Sequence, residues 1–424
     1  MRKIILVTLI ALLNFTTCAA SDEDELNTAE IRLMCAVCSL GAYSGDESFL
    51  LRSMLASRGW TIEKLSKKNA LADAKAFLVS KGNVKILAVA GTESLKDVEV
   101  DFRAGRVPLN DDVPLDEDEK RPGDKIFVHR GFRDYADVVL SDGLFERLQT
   151  SLTKNPDEKL YLTGHSLGGS VAIVMGLRLA DAGVDKNRFA VVTFGSMAVG
   201  SRALAKSYED KIDVTRIVMK GDVLNKSTRA LGFVEFGEVV KYDSFGDDNH
   251  SEHKIAVYLD SAIRDYYDAG GTLNHEAQDK VDASIYVAPV LLEKDNFRKF
   301  DAKLIVNAIN DSLANHFSQL LFAKPASVNI DERQVMDADF DEYIAAGRDA
   351  GCKYTLIRIL RAKKIRDARS GERLVTLEEI IFDANGFPLS MQTSGASTEN
   401  LTLLEAALSA QETLAVSAKN VFTK

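Results

Sequence analysis

Lys159-Leu160-Tyr161-Leu162-Thr163-Gly164-His165-Ser166-Leu167-Gly168-Gly169 is the stretch that decides the fold. Lys159–Thr163 has the composition of a strand, and from Leu167 to Ala182 the pattern is helical. Between them, Gly164 to Gly168 fits G-x-S-x-G. A sharp strand-to-helix turn lifts a serine hydroxyl clear of the sheet edge, and small residues on either side let the backbone bend. The amino end of the following helix brings N–H donors and positive potential to the place where an oxyanion forms. Ser166 is therefore the candidate nucleophile. The strand–turn–helix setting carries that assignment more than the five letters do.

Outward from this turn, Ala76–Val79 and Lys85–Ala90 read as strands separated by the turn Lys81-Gly82-Asn83. Arg188–Phe194 and Val214–Met219 read as two more. Strands alternating with helices imply parallel pairing and an α/β sheet with helices on both faces. Ile31–Leu40 and Phe49–Arg58 are helix-like, Arg133 to Leu152 is helical in pattern, and Asn110–Asp124 is an acidic, exposed loop. Past Tyr266 the character changes. A strand Ile285–Val290, a helix Lys303–Phe317, a short strand Ser327–Ile330 and a helix Phe340–Ala350 follow. Tyr354–Lys363 and Leu374–Asp383 form an antiparallel pair, and Asn400 to Val421 is a final helix. The expected organisation is residues 1–20 as a signal peptide, 21–270 as the α/β domain and 283–424 as a smaller C-terminal α+β domain.

A serine hydroxyl is a weak nucleophile and needs a base, which in turn needs an orienting acid. When the nucleophile sits on such a turn, the acid and then the base follow it along the chain, and the acid ends a later strand. Thr215–Lys220 is such a strand and runs into Gly221-Asp222, which makes Asp222 the candidate acid. Asp213 lies at the other end of that strand and faces the wrong rim. By order, His250, His253, His275 and His316 qualify as base. The last two lie at or beyond the expected boundary. An apolar helix from Ile255 to Ile263 favours His253, at its start, over His250.

Composition bounds the rest. The formal charge is −10, with Lys and Arg scattered rather than gathered into a stripe, so there is little support for nucleic-acid binding. Arg2 and Lys3, the apolar run Ile4–Phe15 and the small residues Thr17, Ala19 and Ala20 have the form of an export signal. That implies a periplasmic or secreted protein. Cys18 offers a lipid-anchoring alternative to cleavage near Ala20. The run is too short to span a bilayer. Cys35 and Cys38 read as packing thiols or a small structural disulfide, since neither a second pair nor a thioredoxin-like setting accompanies them.

From Ile31 to Asp265 the sequence resembles the class 3 lipases, the fungal-type triacylglycerol lipases of the α/β-hydrolase fold. Gly164-His165-Ser166-Leu167-Gly168-Gly169 is similar to that family's elbow, and Val128-His129-Arg130-Gly131-Phe132 to its upstream His-x-Gly-Phe segment. Leu87-Ala88-Val89-Ala90-Gly91-Thr92, followed by Asp97 and Asp101, resembles the strand and turn that supply its oxyanion hole. His253 with Tyr258-Leu259 resembles the segment around its catalytic histidine. The resemblance implies a lipase or carboxylic ester hydrolase acting on acylglycerols or phospholipids through Ser166, Asp222 and His253. It also implies an oxyanion hole from the amides of Thr92 and Leu167, and no metal or organic cofactor.

Three departures bear on the acyl pocket: Ala90 where the family has arginine, Val98 where it has tryptophan, and Val223-Leu224-Asn225-Lys226 without the usual proline. His129 reads as a hydrogen-bonded structural histidine. The lid region, Phe102–Phe127, is acidic, whereas Leu231–Phe236 is apolar enough to line or cover a pocket. The C-terminal domain resembles small envelope domains, which implies an envelope protein partner. Lys363, Lys364, Arg358, Arg361, Arg366 and Arg369 read as solvated hairpin charges. Two rival readings are a catalytically silent binding or scaffold protein, and a thioesterase or peptidase using the same triad.

Overall fold

The computed structural model describes residues 22–44, 54–68, 73–91, 105–110, 125–243, 252–276, 279–294, 296–330, 340–365 and 372–422. In chain order these hold α1 (Asp22–Ser44), β1 (Thr61–Lys68), β2 (Asp73–Lys81), β3 (Val84–Val89), β4 (Arg106–Val107) and β5 (Val128–His129). Next come α2 (Arg130–Leu140), α3 (Leu144–Lys154), β6 (Lys159–His165), α4 (Leu167–Asp181), β7 (Phe189–Phe194), α5 (Arg202–Tyr208) and β8 (Val214–Met219). β9 (Glu238–Tyr242) and α6 (Ile255–Asp268) complete the first layer set. The rest is β10 (Val281–Val287), β11 (Val290–Glu293), α7 (Lys299–Ala314), β12 (Phe317–Phe322), β13 (Ser327–Ile330), α8 (Asp341–Asp349), β14 (Tyr354–Lys364), β15 (Arg373–Asp383), β16 (Pro388–Ser397) and α9 (Leu403–Phe422).

The first sheet has the order β1-β2-β3-β6-β7-β8-β9. β1, β2 and β3 pair antiparallel, and from β3 to β9 every pairing is parallel. Side chains alternate across a strand, and both faces of this sheet are covered. Ile86, Ala88, Phe194 and Ile217 point into a cluster with α1 and α6. Leu87, Val89, Leu160 and Val191 point into another with α2, α3 and α4. This is an α/β fold with Ser166 at the carboxyl end of its middle strand. Such sheets bind their ligands at that edge.

β14 is the axis of the second sheet. β10 and then β11 lie parallel along one of its edges, and β15 and β16 follow antiparallel on the other. The strand expected over Ile285–Val290 is thus two strands, since Tyr286 pairs with Thr355 but Leu291 with Ile359, one residue out of step. Pro289 at the break has no N–H to give a ladder. α7 and α9 cover one face and α8 packs on the other. Val290, Ile305, Leu377 and Leu408 belong to the same apolar cluster as α1 and α6. The two sheets therefore share buried surface. At that contact Arg264 of α6 bonds Asp260 at 2.5 Å and Asp301 of α7 at 3.1 Å.

Local differences from expectation have simple causes. The helical run Arg133–Leu152 breaks in two at Asp142 and Gly143, both at positive φ, and α1 is one helix that starts well before Ile31. Arg358 is not a solvated charge. Strand alternation turns it under α7 and α9, where it is fully buried and donates to the Gln411 side chain at 2.7 Å and to Asn310. Arg361 pairs with Glu378 at 2.8 Å, and Lys363 lies 3.7 Å from Glu293. Arg366 and Arg369 fall outside the described residues. Cys35 and Cys38 are buried free thiols, and burial pushes Cys35 up to about 12. Among the described residues, no helix is long and apolar enough to cross a membrane.

Candidate active site

β6 ends at His165, and Ser166 turns the chain into α4 at φ 56° and ψ −125°. A non-glycine residue held there stores about 1–3 kcal/mol, which persists only where the surroundings over-determine it. Here the Ser166 N–H donates to the Phe194 carbonyl at 2.9 Å, and its own carbonyl accepts from Gly169 and Ser170 at 3.1 and 3.2 Å. The flanking glycines are required by close approach rather than by composition. A Cβ on Gly164 would stand 2.4 Å from the Gly168 carbonyl carbon, and one on Gly168 would stand 2.2 Å from the Val89 oxygen.

The structure brings Ser166, His253 and Asp222 into one hydrogen-bonded chain. The Ser166 Oγ is 2.8 Å from His253 Nε2, and His253 Nδ1 is 2.8 Å from Asp222 Oδ2. All three side chains are buried. They arrive from three elements: the elbow after β6, the loop after β8, and the two residues before α6. Asp213, at the far end of β8, is occupied on the opposite rim, where its carbonyl accepts from Val191.

Burial acts most strongly on the Asp222 carboxyl and raises its pKa. Hydrogen bonds outweigh that and leave it below its ordinary value: from His253, from the Tyr258 hydroxyl at 2.7 Å, and from the Leu224 amide at 3.0 Å. An ionised Asp222 only accepts, so His253 Nδ1 carries its proton and Nε2 offers a lone pair to the Ser166 hydroxyl. In chemical terms this is a hydroxyl bonded to a base that an acid orients.

Leu167 is the first residue of α4, and its N–H belongs to the turn of amides that a helix leaves without intrahelical acceptors. Thr92 lies outside the described residues, as does His250. β3, which leads to Thr92, is paired through Val89 with Gly164 and so ends beside the elbow. His275 and His316 are engaged in the second sheet's surroundings, with Asn315 and with Glu412. His129 is fully buried between Phe132 and Phe233, at ring distances of 4.4 and 5.3 Å, and burial lowers its pKa to about 4. It is a neutral packing histidine. Phe233 with Gly232, Val234 and Glu235 lines a cavity of about 520 Å³ beside Phe127 and Ser201, so the apolar loop does line a pocket. Among the described residues, no cluster of His, Cys, Asp and Glu has the form of a metal site.

Sequence reasoning named Tyr258 only as part of the segment resembling the family's catalytic-histidine region and gave it no role; its hydroxyl donates to Asp222 and accepts from the Met219 amide at 3.1 Å. On an apolar helix it reads as one more core aromatic. Beside that resemblance, its local signal is its place five residues after His253, a little more than one helical turn.

Residues 86–230 match the class 3 lipase family, a span that holds Ser166 and Asp222 and stops short of His253. A lipase of Rhizopus niveus is 29% identical over 130 residues, which are 30% of this chain and 33% of that protein. A chloroplastic phospholipase A1 of Arabidopsis thaliana is 32% identical over 108 residues, 24% of this chain and 16% of that protein. The chain thus spans about a third or less of the length of these curated relatives. Among solved structures, the Rhizomucor miehei triacylglyceride lipase aligns with 53% of this chain and 82% of its own, at 21% identity and a TM-score of 0.42.

Proposed function

We propose that this chain is a serine hydrolase of the class 3 lipase kind, cleaving carboxylic esters of lipids through Ser166, His253 and Asp222. The observation that carries the reading is the Ser166–His253–Asp222 chain, with 2.8 Å at both links, on a strained elbow at the carboxyl edge of the sheet. In this reading His253 Nε2 takes the Ser166 proton as Oγ adds to the ester carbonyl. Asp222 meanwhile holds the tautomer and stabilises the imidazolium. The amides of Leu167 and Thr92 receive the oxyanion, each such donor being worth about 2.7–4 kcal/mol of barrier. Collapse expels the alcohol with the proton from His253. A water that gives its proton to His253 then releases the acid and restores Ser166. The substrate class is acylglycerol or phospholipid. The protein is exported, with Cys18 as a lipid-anchoring site in the alternative processing, and the second sheet serves an envelope protein partner.

A fluorophosphonate probe tests the chemistry without knowledge of the substrate. A single adduct on Ser166, located by peptide mass spectrometry and lost in His253→Ala, is the expected result. A well-folded sample that forms no adduct, with or without detergent, would count against hydrolysis and for a binding protein.

A further inference from the structure

Two side chains with no part in the proton path lead directly to it. His165, the residue before the nucleophile, has its Nε2 2.5 Å from the main-chain carbonyl of His253, and its Nδ1 2.8 Å from the Tyr43 hydroxyl. A carbonyl only accepts, so Nε2 holds the proton. Nδ1 is then the lone-pair nitrogen of a neutral ring, and it accepts from Tyr43. Burial, and next the neighbouring His253, lower the His165 pKa to about 3, which keeps the ring neutral. The rings of His165 and His253 are 4.7 Å apart, so a cation at His165 would oppose the imidazolium that proton transfer makes at His253.

The carbonyl that His165 grips lies one residue ahead of the N-cap of α6, Lys254. The helix's first reaching amide, that of Val257, bonds the Lys254 carbonyl instead. The main chain at His253 is thus anchored from the elbow. A side chain that must keep two 2.8 Å bonds in opposite directions depends on where its Cα stands.

We infer that Tyr43 and His165 are positioning residues for the ester cleavage proposed above: they clamp the main chain at His253 so that its ring engages Ser166 and Asp222 together. Tyr43 comes from α1, more than a hundred residues before the elbow, so the reaction centre is completed by a helix outside the span matched to the lipase family. The inference rests on the proposed hydrolase reading for its kinetic consequence, but not for its structural one.

The test uses the full chain and the variants His165→Leu, His165→Gln and Tyr43→Phe. Glutamine keeps an N–H near the Nε2 position and leucine does not. Two readouts are taken: kcat and KM on a soluble ester per site titrated with fluorophosphonate, and the low-field proton resonance of His253 Nδ1–H. Expected are a fall in kcat of about 100-fold for His165→Leu and about tenfold for Tyr43→Phe, each with KM unchanged. His165→Gln recovers most of the rate, and the resonance broadens or vanishes only in the leucine variant. Wild-type kcat per titrated site together with a sharp resonance in His165→Leu would overturn the clamp. If the wild type forms no Ser166 adduct while the resonance still depends on His165, the hydrolase reading falls and the clamp stands. Should His165→Leu not fold, Tyr43→Phe, which removes one oxygen, decides on kcat per titrated site: a fall of about tenfold sustains the clamp, and wild-type turnover overturns it.

Discussion

Replacing Tyr258 with phenylalanine isolates one bond in the site. The phenol hydroxyl donates to Asp222 Oδ2 at 2.7 Å and accepts from the Met219 amide at 3.1 Å, and the residue is fully buried. A hydrogen bond to a charged group is worth about 1.5–3 kcal/mol. Asp222 keeps two donors, His253 and Leu224, so the lower part of that range applies. A loss of about 1.4 kcal/mol in the support of the imidazolium is roughly tenfold in rate. Expected is a kcat about tenfold lower with KM unchanged, because no group that meets the ester has moved. The variant also leaves the buried Met219 N–H without its acceptor, for a stability loss of about 1–3 kcal/mol. A carboxyl held below its ordinary pKa contributes stability that is present above the unfolded value and lost as pH falls through the folded one. The difference between wild type and variant therefore narrows toward acid. Steady-state kinetics on a short-chain chromogenic ester and thermal melts across the acid range measure both. An unchanged kcat, or one as low as that of Asp222→Ala, would refute the reasoning.

Further outcomes follow from other contacts. Gly168→Ala puts a Cβ against the Val89 carbonyl oxygen, which is backbone and cannot swing away. Ester turnover is expected to fall at least tenfold and stability by about 2–4 kcal/mol, and wild-type turnover and melting would contradict the packing. His129 titrates near 4 in the fold against 6.5 ordinarily, so the unfolded chain binds more protons in that window and stability declines as pH falls through it. The full loss is on the order of 3 kcal/mol, and His129→Phe should flatten that part of the stability–pH curve. Arg358→Ala removes the guanidinium from between Gln411 and Asn310 and leaves Glu379 buried without its nearest cation. A loss of about 3–5 kcal/mol is expected by chemical denaturation, with kcat per folded molecule intact.

Much of the elbow was legible in the chain because its constraints are local. The strand Lys159–Thr163, the glycines and the helix from Leu167 are neighbours in sequence, and a serine between them has one stereochemical solution. The order of the candidate acid and base was legible for a related reason: Asp222 and His253 each stand at the end of an element whose apolar pattern announces it. The edge strands β1 and β16 were not read, since half-exposed polar strands carry little periodic signal. The bulge between β10 and β11 depends on two partner strands at once.

What the sequence by itself determined is which groups are the candidates for chemistry and in what order they stand. Only the tertiary structure decided how they are held. The hydroxyl of Tyr43 against His165, the carbonyl of His253 against the same ring, Tyr258 on Asp222 and the burial of Arg358 are contacts between residues far apart in the chain or on opposite sides of a turn. No local pattern encodes them, because such bonds form only after the sheet has brought its carboxyl edge and the flanking helices together.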